Sequence, residues 1–281
     1  MNLAGKNIKF IAFDLDTTVS NSDGTMSDAT RTVIEQAIAE GIEIIPVSGR
    51  AFATFPESIG QIKGISYAVT SNGAAIYNKK TGERIHGVAI EYADLHSILD
   101  AFAHYFHNGQ ITYEAFVDGV AYGGREYVEH PKAFGVPERN VAYVQSTRKS
   151  VDDIIAFLSE HEEELDSLDI VAADTALYQK IEEQIPLVTK SVYTTSAVSY
   201  RLEISHKNSG KATGLAYVLK LLDITPEETV AFGDGDNDAE MLEFAGLGVA
   251  MENATENCKA AADIVCDCCK NDGVARFLYG F

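Results

Sequence analysis

Two groups of carboxylates in the sequence could bind a metal ion. Asp14 and Asp16 follow the apolar run 8–13, and Asp234 opens an acidic loop after the apolar run 229–232. Carboxylates that lie this close repel one another unless a positive charge lies between them. Mg²⁺ prefers hard oxygen ligands and uses one or two carboxylates together with water and substrate phosphate. The residue types therefore predict a Mg²⁺ site in which Asp14 and Asp234 supply carboxylates, with a structural Asx turn at Asp16 as the alternative.

Polar side chains follow two further apolar runs. Ser48 and Arg50 come after residues 42–47, and Asn72 comes after residues 67–70. Short apolar runs rich in branched residues are typical of parallel strands that are covered on both faces of a sheet. The carboxyl ends of such strands meet along one edge of the sheet, where open α/β sheets bind their ligands. The sequence therefore predicts that these polar residues share one crevice with the carboxylates.

Three familiar motifs for metal or phosphate binding do not fit the sequence. An EF-hand loop that starts at Asp234 needs Gly at its sixth position and Glu at its twelfth, where this chain has Ala239 and Ala245. A P-loop needs Ser or Thr directly after its lysine, but Ala212 follows Lys211. No G-x-G-x-x-G motif follows any predicted strand. Lys211 is therefore interpreted as a separate second cation beside the carboxylates, with an ordinary solvated helix lysine as the alternative.

The order of predicted elements indicates an α/β fold with an insertion. Strands alternate with helices at both ends of the chain, which predicts a Rossmann-like, doubly wound parallel sheet formed by residues 1–84 and 191–281. The segment 85–190 mixes helices with aromatic-rich strands and predicts a smaller α+β domain. A strand predicted at 200–204 is assigned to the parallel sheet, and residues 22–25 are predicted to form a turn.

The charge of the chain limits its partners. With 22 basic and 42 acidic residues, the formal net charge is −20. Nucleic acids and anionic membranes attract basic surfaces, so neither is an expected partner. The sequence contains no apolar run long enough for a membrane helix and no secretory signal at its N-terminus, which predicts a cytoplasmic protein.

The four cysteines lie near the C-terminus, at positions 258, 266, 268 and 269. They lack the C-x-x-C spacing of zinc and thioredoxin-like sites. We therefore predict reduced, partly buried structural thiols.

Taken together, the motifs resemble those of the haloacid dehalogenase superfamily, in particular its Cof-type phosphatases with an inserted cap of the second class (class IIB). The resemblance covers nearly the whole chain. The matching segments are Asp14-Leu15-Asp16-Thr17-Thr18, Ser48-Gly49-Arg50, Ser71-Asn72-Gly73, Leu202-Glu203-Ile204 with Lys207 and Lys211, Gly233-Asp234-Gly235-Asp236-Asn237-Asp238, Gly248-Val249-Ala250-Met251 with Asn253, and Asp272-Gly273-Val274-Ala275.

The resemblance implies a role for each matching residue. Asp14 is implied as the nucleophile that forms an aspartyl-phosphate, Asp16 as general acid and base, and Lys211 as the group that neutralises charge on Asp14 and the phosphoryl group. The residues implied in phosphate binding are Ser48, Gly49, Arg50, Asn72 and Asn237. Those implied in Mg²⁺ binding are Asp14, the backbone carbonyl of Asp16, Asp234 and, as a supporting residue, Asp238.

Two positions depart from the family pattern. Thr17 stands where the family usually has Gly. Glycine adopts backbone conformations that a branched residue disfavours, so this loop must here accommodate a branched residue. Ser48 replaces the more usual Thr and keeps the hydroxyl group. The first departure puts the rate in question, whereas the second does not.

The resemblance implies a Mg²⁺-dependent hydrolase of small phosphomonoesters, such as sugar phosphates, with the inserted domain closing over the crevice. A phosphomutase of the phosphomannomutase kind is an alternative, because it shares the nucleophile and the cap type. A non-catalytic module that binds phosphorylated ligands is a second alternative. The sequence names neither the physiological substrate nor the oligomeric state.

Overall fold

A computed structural model describes residues 1–21 and 23–280 of the chain. Ser22, the first residue of the turn predicted at 22–25, therefore lies outside the described residues. The strands are β1 (Asn2–Leu3), β2 (Lys6–Asn7), β3 (Phe10–Phe13), β4 (Glu43–Pro46), β5 (Tyr67–Thr70), β6 (Ala75–Asn78), β7 (Arg84–Gly87), β8 (Ile111–Val117), β9 (Val120–Gly124), β10 (Arg148–Val151), β11 (Leu165–Ala172), β12 (Val192–Val198), β13 (Arg201–His206), β14 (Thr229–Gly233), β15 (Leu247–Met251) and β16 (Ile264–Cys266). The α-helices are α1 (Asp28–Ala39), α2 (Glu57–Gly60), α3 (Tyr92–His107), α4 (Arg125–Glu129), α5 (Glu138–Thr147), α6 (Ile154–Glu160), α7 (Thr175–Val188), α8 (Lys211–Leu222), α9 (Ala239–Phe244), α10 (Glu256–Ala261) and α11 (Gly273–Tyr279).

The chain divides into two compact units. The core unit comprises Met1–Arg50, Phe55–His86 and Gly210–Phe281, and the insert unit comprises Ala51–Thr54 and Gly87–Ser209. The second boundary therefore lies later in the chain than the 190/191 boundary predicted from the sequence.

The core unit is built on a parallel sheet with the strand order β16-β15-β14-β3-β4. In its centre β3 pairs with β14, so that Phe13 lies beside Phe232. An isolated parallel bridge between Val47 and Val69 connects the end of β4 to β5, which belongs to a three-stranded sheet with the order β5-β6-β7. Every residue of β3 is buried, as expected for a strand covered on both faces.

Alternate residues of β3 pack against helices on opposite faces of the sheet. Ile11 and Phe13 belong to a buried cluster with residues of α1 and α11. Phe10 and Ala12 belong to another cluster with residues of α8, α9 and α10. Helices therefore cover both faces of the parallel sheet, and the predicted doubly wound α/β fold with an α+β insertion is confirmed.

The insert unit contains a six-stranded mixed sheet with the order β10-β9-β8-β11-β13-β12. β13 pairs antiparallel with both β11 and β12. The assignment of strand 200–204 to the parallel sheet was therefore wrong. Leu202 and Ile204 pack into the apolar core of the insert unit, while Arg201 and Glu203 alternate with them along the strand. An apolar alternation predicts a strand but not the sheet to which it belongs, because it depends only on burial of one face.

No α-helix of the described residues is long and apolar enough to span a membrane.

Candidate active site

Asp14 and Asp234 lie at the carboxyl ends of neighbouring parallel strands. Asp14 follows β3, and its backbone N–H donates a hydrogen bond of 2.9 Å to the carbonyl oxygen of Phe232 in β14. Asp234 directly follows β14. Carboxylate oxygens of Asp14, Asp234 and Asp238 lie within 4.8 Å of one another. The structure thus brings together three acids that are separated by up to 224 residues in the sequence (238 − 14).

Lys211 is the cation of this group, and we call Asp14, Asp234, Asp238 and Lys211 the core cluster. Its Nζ donates hydrogen bonds of 2.6 Å to Oδ1 of Asp14 and to Oδ1 of Asp238. Burial alone would lower the pKa of Lys211, but the carboxylates of Asp14 and Asp238 raise it above its ordinary value. Lys211 is therefore held in its charged form, and the alternative of a solvated helix lysine does not hold.

Burial opposes the ionisation of two acids of the core cluster, Asp14 and Asp234. Burial raises the pKa of Asp14 well above its ordinary value, and the neighbouring carboxylates of Asp238, Asp234 and Asp16 add to this effect, whereas Lys211 opposes it. Burial likewise raises the pKa of Asp234, although hydrogen bonds from threonine side chains oppose the rise. One ammonium group does not compensate three carboxylates, so the cluster favours a further positive charge.

Two glycines allow the lysine to reach this position. Gly210, directly before α8, has a φ of 141°, which favours glycine. The backbone of Gly73 packs so closely on Gly210 that a Cβ at Gly73 would lie 2.0 Å from the Gly210 carbonyl oxygen. Lys211, the first residue of α8, therefore follows a backbone contact that leaves no room for a side chain at Gly73.

Asp238 uses both carboxylate oxygens within the protein. Its Oδ1 accepts from Lys211, while its Oδ2 accepts from the backbone N–H groups of Asp234 and Gly235 at 3.0 and 2.9 Å. Asp238 is therefore suited to hold the acidic loop and the lysine in place. This arrangement agrees with a supporting position and leaves Asp14 and Asp234 as the carboxylates that can take a cation.

Three side chains hold the Asp234 carboxylate. Thr18 Oγ1 donates to Oδ1 at 2.6 Å, while Thr17 Oγ1 and Asn253 Nδ2 contact Oδ2 at 2.5 and 3.0 Å. None of these side chains is among the predicted site residues, although all three belong to the motifs that carry the family resemblance. The two threonines directly after Asp16 were the signal in the sequence that hydroxyl groups lie near the predicted metal site.

Asp16 is paired with Arg50. The Arg50 guanidinium donates two hydrogen bonds of 2.7 Å, from Nε to Oδ2 and from Nη2 to Oδ1 of Asp16. Arg50 is predicted to bind phosphate, but in this structure its guanidinium holds the carboxylate implied as the acid and base. The bidentate geometry fixes the orientation of the Asp16 side chain.

The remaining predicted phosphate-binding residues form a polar framework, in which Ser48 and Asn72 are buried and Asn237 is half-buried. Asn237 Nδ2 donates to Asn72 Oδ1 at 2.9 Å, and the Asn72 backbone N–H donates to the Ser48 carbonyl oxygen at 3.1 Å. Ser48 Oγ accepts from the Arg50 backbone N–H at 3.2 Å, with Gly49 between them in the chain. Asn72 has a φ of 51°, a conformation that asparagine adopts more readily than most residues. These contacts join three segments of the core unit that were predicted separately.

A divalent cation fits the core cluster by the chemistry of its donors. Asp14 and Asp234 are hard oxygen donors, as is the Asp16 backbone carbonyl, and Mg²⁺ prefers such ligands. The excess of carboxylates over ammonium groups also supplies the charge that a cation would neutralise.

The four cysteines are free thiols. Burial raises the pKa of Cys258 and of Cys266 to about 12. Carboxylate and thiol donors of Glu252, Asp267 and Cys268 also come close together, but Asp267 Oδ1 already accepts from the Cys268 N–H and from Asn271. Raised thiol pKa values are typical of structural cysteines.

Comparisons with known proteins agree with this geometry. The sequence profile of the haloacid dehalogenase-like hydrolases matches residues 11–278. The chain belongs to this family. It is 30% identical over 295 residues to the phosphatase YwpJ of Bacillus subtilis, covering 96% of this chain and 99% of that protein. It is 27% identical over 272 residues to the 5-amino-6-(5-phospho-D-ribitylamino)uracil phosphatase YcsE of the same organism, covering 97% and 95% of the two chains.

The fold matches as well. The structure of a haloacid dehalogenase-like hydrolase from B. subtilis superposes with a TM-score of 0.80 at 27% identity, covering 96% of this chain and 99% of that one. The predicted resemblance to the Cof-type phosphatases of this superfamily is confirmed, as is the prediction of a phosphatase.

Proposed function

We propose that the protein hydrolyses small phosphomonoesters, such as sugar phosphates and related metabolites, with Asp14 as nucleophile and Mg²⁺ as cofactor. The observation that carries this proposal is the core cluster, in which Asp14 is buried beside Lys211 and Asp234 at the end of a parallel strand. The phosphatase activity of its relatives, one of which acts on a phosphorylated ribityl compound, supports the substrate class.

In the first step, an oxygen of Asp14 attacks the phosphorus atom and the bond from phosphorus to the ester oxygen breaks. Because Lys211 already binds Oδ1, Oδ2 of Asp14 is the oxygen free to attack. Asp16, in its protonated form, gives its proton to the departing alcohol. Both oxygens of Asp16 accept from Arg50, so one of these hydrogen bonds must open for that transfer.

In the second step, water attacks the aspartyl-phosphate and transfers a proton to Asp16 while the bond from phosphorus to Asp14 breaks. Inorganic phosphate is released and both acids return to their starting state. A Mg²⁺ ion held by Asp14, Asp234 and the Asp16 carbonyl would supply positive charge to the phosphate oxygens. Lys211 adds a fixed positive charge, while Ser48 and Asn237 provide hydrogen-bond donors for the phosphoryl group.

The test is a panel of phosphorylated sugars and metabolites incubated with the purified protein in Mg²⁺ or in EDTA. We expect free phosphate to appear in Mg²⁺ but not in EDTA. The rate of phosphate release should fall at least about 10⁴-fold in the Asp14→Asn variant, because loss of the nucleophile removes the covalent route. Asp100→Asn, which makes the same chemical change at an exposed position of α3, should retain wild-type activity.

Three outcomes would contradict the proposal. An isomeric sugar phosphate in place of free phosphate would indicate a phosphomutase. Tight binding of a phosphorylated ligand without turnover would indicate a non-catalytic binding protein. Full activity of Asp14→Asn would show that another group is the nucleophile.

A further inference from the structure

Thr17 has a strained backbone conformation. Its φ is 62°, in the left-handed region, and it is the only β-branched residue with positive φ in the part of the chain that the structure describes. A branched residue is an outlier there, because its Cβ substituents crowd the backbone. The backbone is held by a hydrogen bond of 2.8 Å from the Thr17 N–H to the Ser20 carbonyl oxygen. The strain is therefore built into the loop between Asp16 and Thr18.

Packing does not account for the threonine side chain. Thr17 is half-buried, whereas its neighbours Leu15 and Thr18 are buried. What distinguishes Thr17 from glycine is the contact made by its hydroxyl group. Oγ1 lies 2.7 Å from the Asp16 carbonyl oxygen and 2.5 Å from Asp234 Oδ2.

These two contacts cannot both be hydrogen bonds donated by Thr17. A threonine hydroxyl has one hydrogen, and both neighbours are acceptors. While Asp234 is ionised, at most one of the two contacts is a linear hydrogen bond, and the other brings together two oxygen atoms that repel each other. A cation bound to both oxygens of that contact would remove the repulsion.

The acceptors on either side of Thr17 are two of the three oxygen groups that the proposed function assigns to Mg²⁺. Asn253 fixes the same arrangement, because its Nδ2 lies 3.2 Å from the Thr17 carbonyl oxygen and 3.0 Å from Asp234 Oδ2. The hydroxyl is thus held among hard oxygen donors, and Mg²⁺ accepts a neutral oxygen in a position otherwise taken by water.

We propose that Thr17 Oγ1 is an additional oxygen ligand of the divalent cation, in the place of one water molecule. This inference rests on the proposed function, because it assumes a cation at the core cluster. The hydroxyl strengthens cation binding, which explains why the chain keeps a strained threonine where glycine would relax the loop.

The test measures Mg²⁺ binding rather than turnover. Wild type, three variants of Thr17 and one control variant are treated with EDTA to remove metal, the EDTA is then removed, and each protein is titrated with MgCl₂ by calorimetry in phosphate-free buffer. Thr17→Ser keeps the hydroxyl, Thr17→Val keeps the branched shape without it, and Thr17→Gly removes both the hydroxyl and the strain. Thr32→Val, the same change at an exposed position of α1, is the matched control.

We expect Thr17→Ser and Thr32→Val to bind Mg²⁺ within about twofold of wild type, and Thr17→Val and Thr17→Gly to bind roughly tenfold more weakly. Metal-free Thr17→Gly should melt at or above the wild-type temperature, so that its weaker binding cannot be attributed to misfolding. If Thr17→Val does not fold, the Mg²⁺ affinity of Thr17→Gly tests the inference.

Unchanged or tighter Mg²⁺ binding in Thr17→Gly would overturn the inference, and tighter binding would show that the hydroxyl competes with the cation. Weaker binding in Thr17→Gly with wild-type binding in a folded Thr17→Val would assign the effect to the backbone and also overturn it. Failure of the wild type to bind Mg²⁺ would instead remove the cation from the proposed function.

Discussion

Each unit of the molecule buries a group of charged side chains, and the two groups are balanced differently. The core cluster has three carboxylates, from Asp14, Asp234 and Asp238, and one ammonium group, from Lys211. In the insert unit, Glu114, Asp169 and Glu203 are accompanied by two guanidinium groups. We call these three acids, together with Arg148 and Arg201, the insert cluster.

The insert cluster is paired throughout by guanidinium groups. Arg148 donates two hydrogen bonds of 2.8 Å to the carboxylate of Glu114, which also accepts from Tyr127 at 2.6 Å. Arg201 forms ion pairs with Glu203 at 2.8 Å and with Asp169 at 3.3 Å. Burial raises the pKa of Glu114, but the charges of Arg148 and Arg201 outweigh it and lower the pKa below its ordinary value.

The comparison shows how the same residue types serve structure in one place and chemistry in another. In the insert cluster, Arg148 binds both carboxylate oxygens of Glu114, and Arg201 contacts one oxygen of Glu203 and one of Asp169. In the core cluster, one lysine contacts a single oxygen on each of two acids and leaves Oδ2 of Asp14 for the proposed attack on phosphorus. The core cluster has an excess of two negative charges (3 − 1) and the insert cluster an excess of one (3 − 2), and because such an excess is costly, the core cluster favours a bound cation more strongly.

Lys211→Met should lower both the activity and the stability of the protein. It removes the only ammonium group in the core cluster, so we expect kcat to fall about 10²- to 10³-fold, as when a charge-stabilising group is lost from an active site. The variant should also lose about 3–5 kcal/mol of unfolding free energy in metal-free buffer, because buried carboxylates lose their partner. Urea denaturation with and without Mg²⁺ measures this loss, and saturating Mg²⁺ should restore part of it. The same deficit with and without Mg²⁺ would show that no cation replaces the lysine charge.

Arg148→Met should destabilise the insert unit without any response to metal. The change leaves Glu114 buried with a weaker set of partners, and we expect a loss of about 3–5 kcal/mol. Urea denaturation should give the same loss in Mg²⁺ and in EDTA. Recovery by Mg²⁺ would contradict the distinction between the two clusters.

Amide substitutions should act with opposite sign at Glu114 and at Asp14. The folded-state pKa of Glu114 is lowered, so its carboxylate stabilises the fold above its unfolded pKa of about 4.3, and this contribution is lost as the pH falls through the folded pKa. Glu114→Gln should therefore destabilise at neutral pH by on the order of 1–3 kcal/mol, and less in acid.

The folded-state pKa of Asp14 is raised, so its charged form is disfavoured at neutral pH, and that penalty disappears as the pH falls below the unfolded value of about 3.9. Metal-free Asp14→Asn should therefore be more stable than wild type at pH 7, by on the order of 1 kcal/mol. Thermal melts of both amide variants at several pH values provide the measurement. A destabilised Asp14→Asn in EDTA would mean that Lys211 already compensates the cluster.

Arg125→Met should have the smallest effect and is the control for Arg148→Met. Arg125 pairs with Asp152, but both side chains are exposed, at 60% and 83%. Exposed ion pairs contribute little because water screens them, so we expect a change within about 0.5 kcal/mol. A loss as large as that of Arg148→Met would show that burial does not distinguish the pairs.

By itself, the sequence determined the parallel sheet and the strand ends that carry Asp14 and Asp234. Buried parallel strands are continuous apolar runs, and the polar residues directly after them stand out against that background. The acidic spacing likewise favoured a divalent cation site, and the motifs at these ends indicated the family that the comparisons confirmed.

Only the tertiary structure decided which side chains pair with one another. It joined Arg50 to Asp16, placed the hydroxyls of Thr17 and Thr18 on Asp234, and assigned β13 to the insert sheet. The sequence pattern records which positions are buried, because burial requires apolar residues at regular intervals. It does not record which distant donor meets which acceptor, since that depends on how closely separate segments approach in the folded chain.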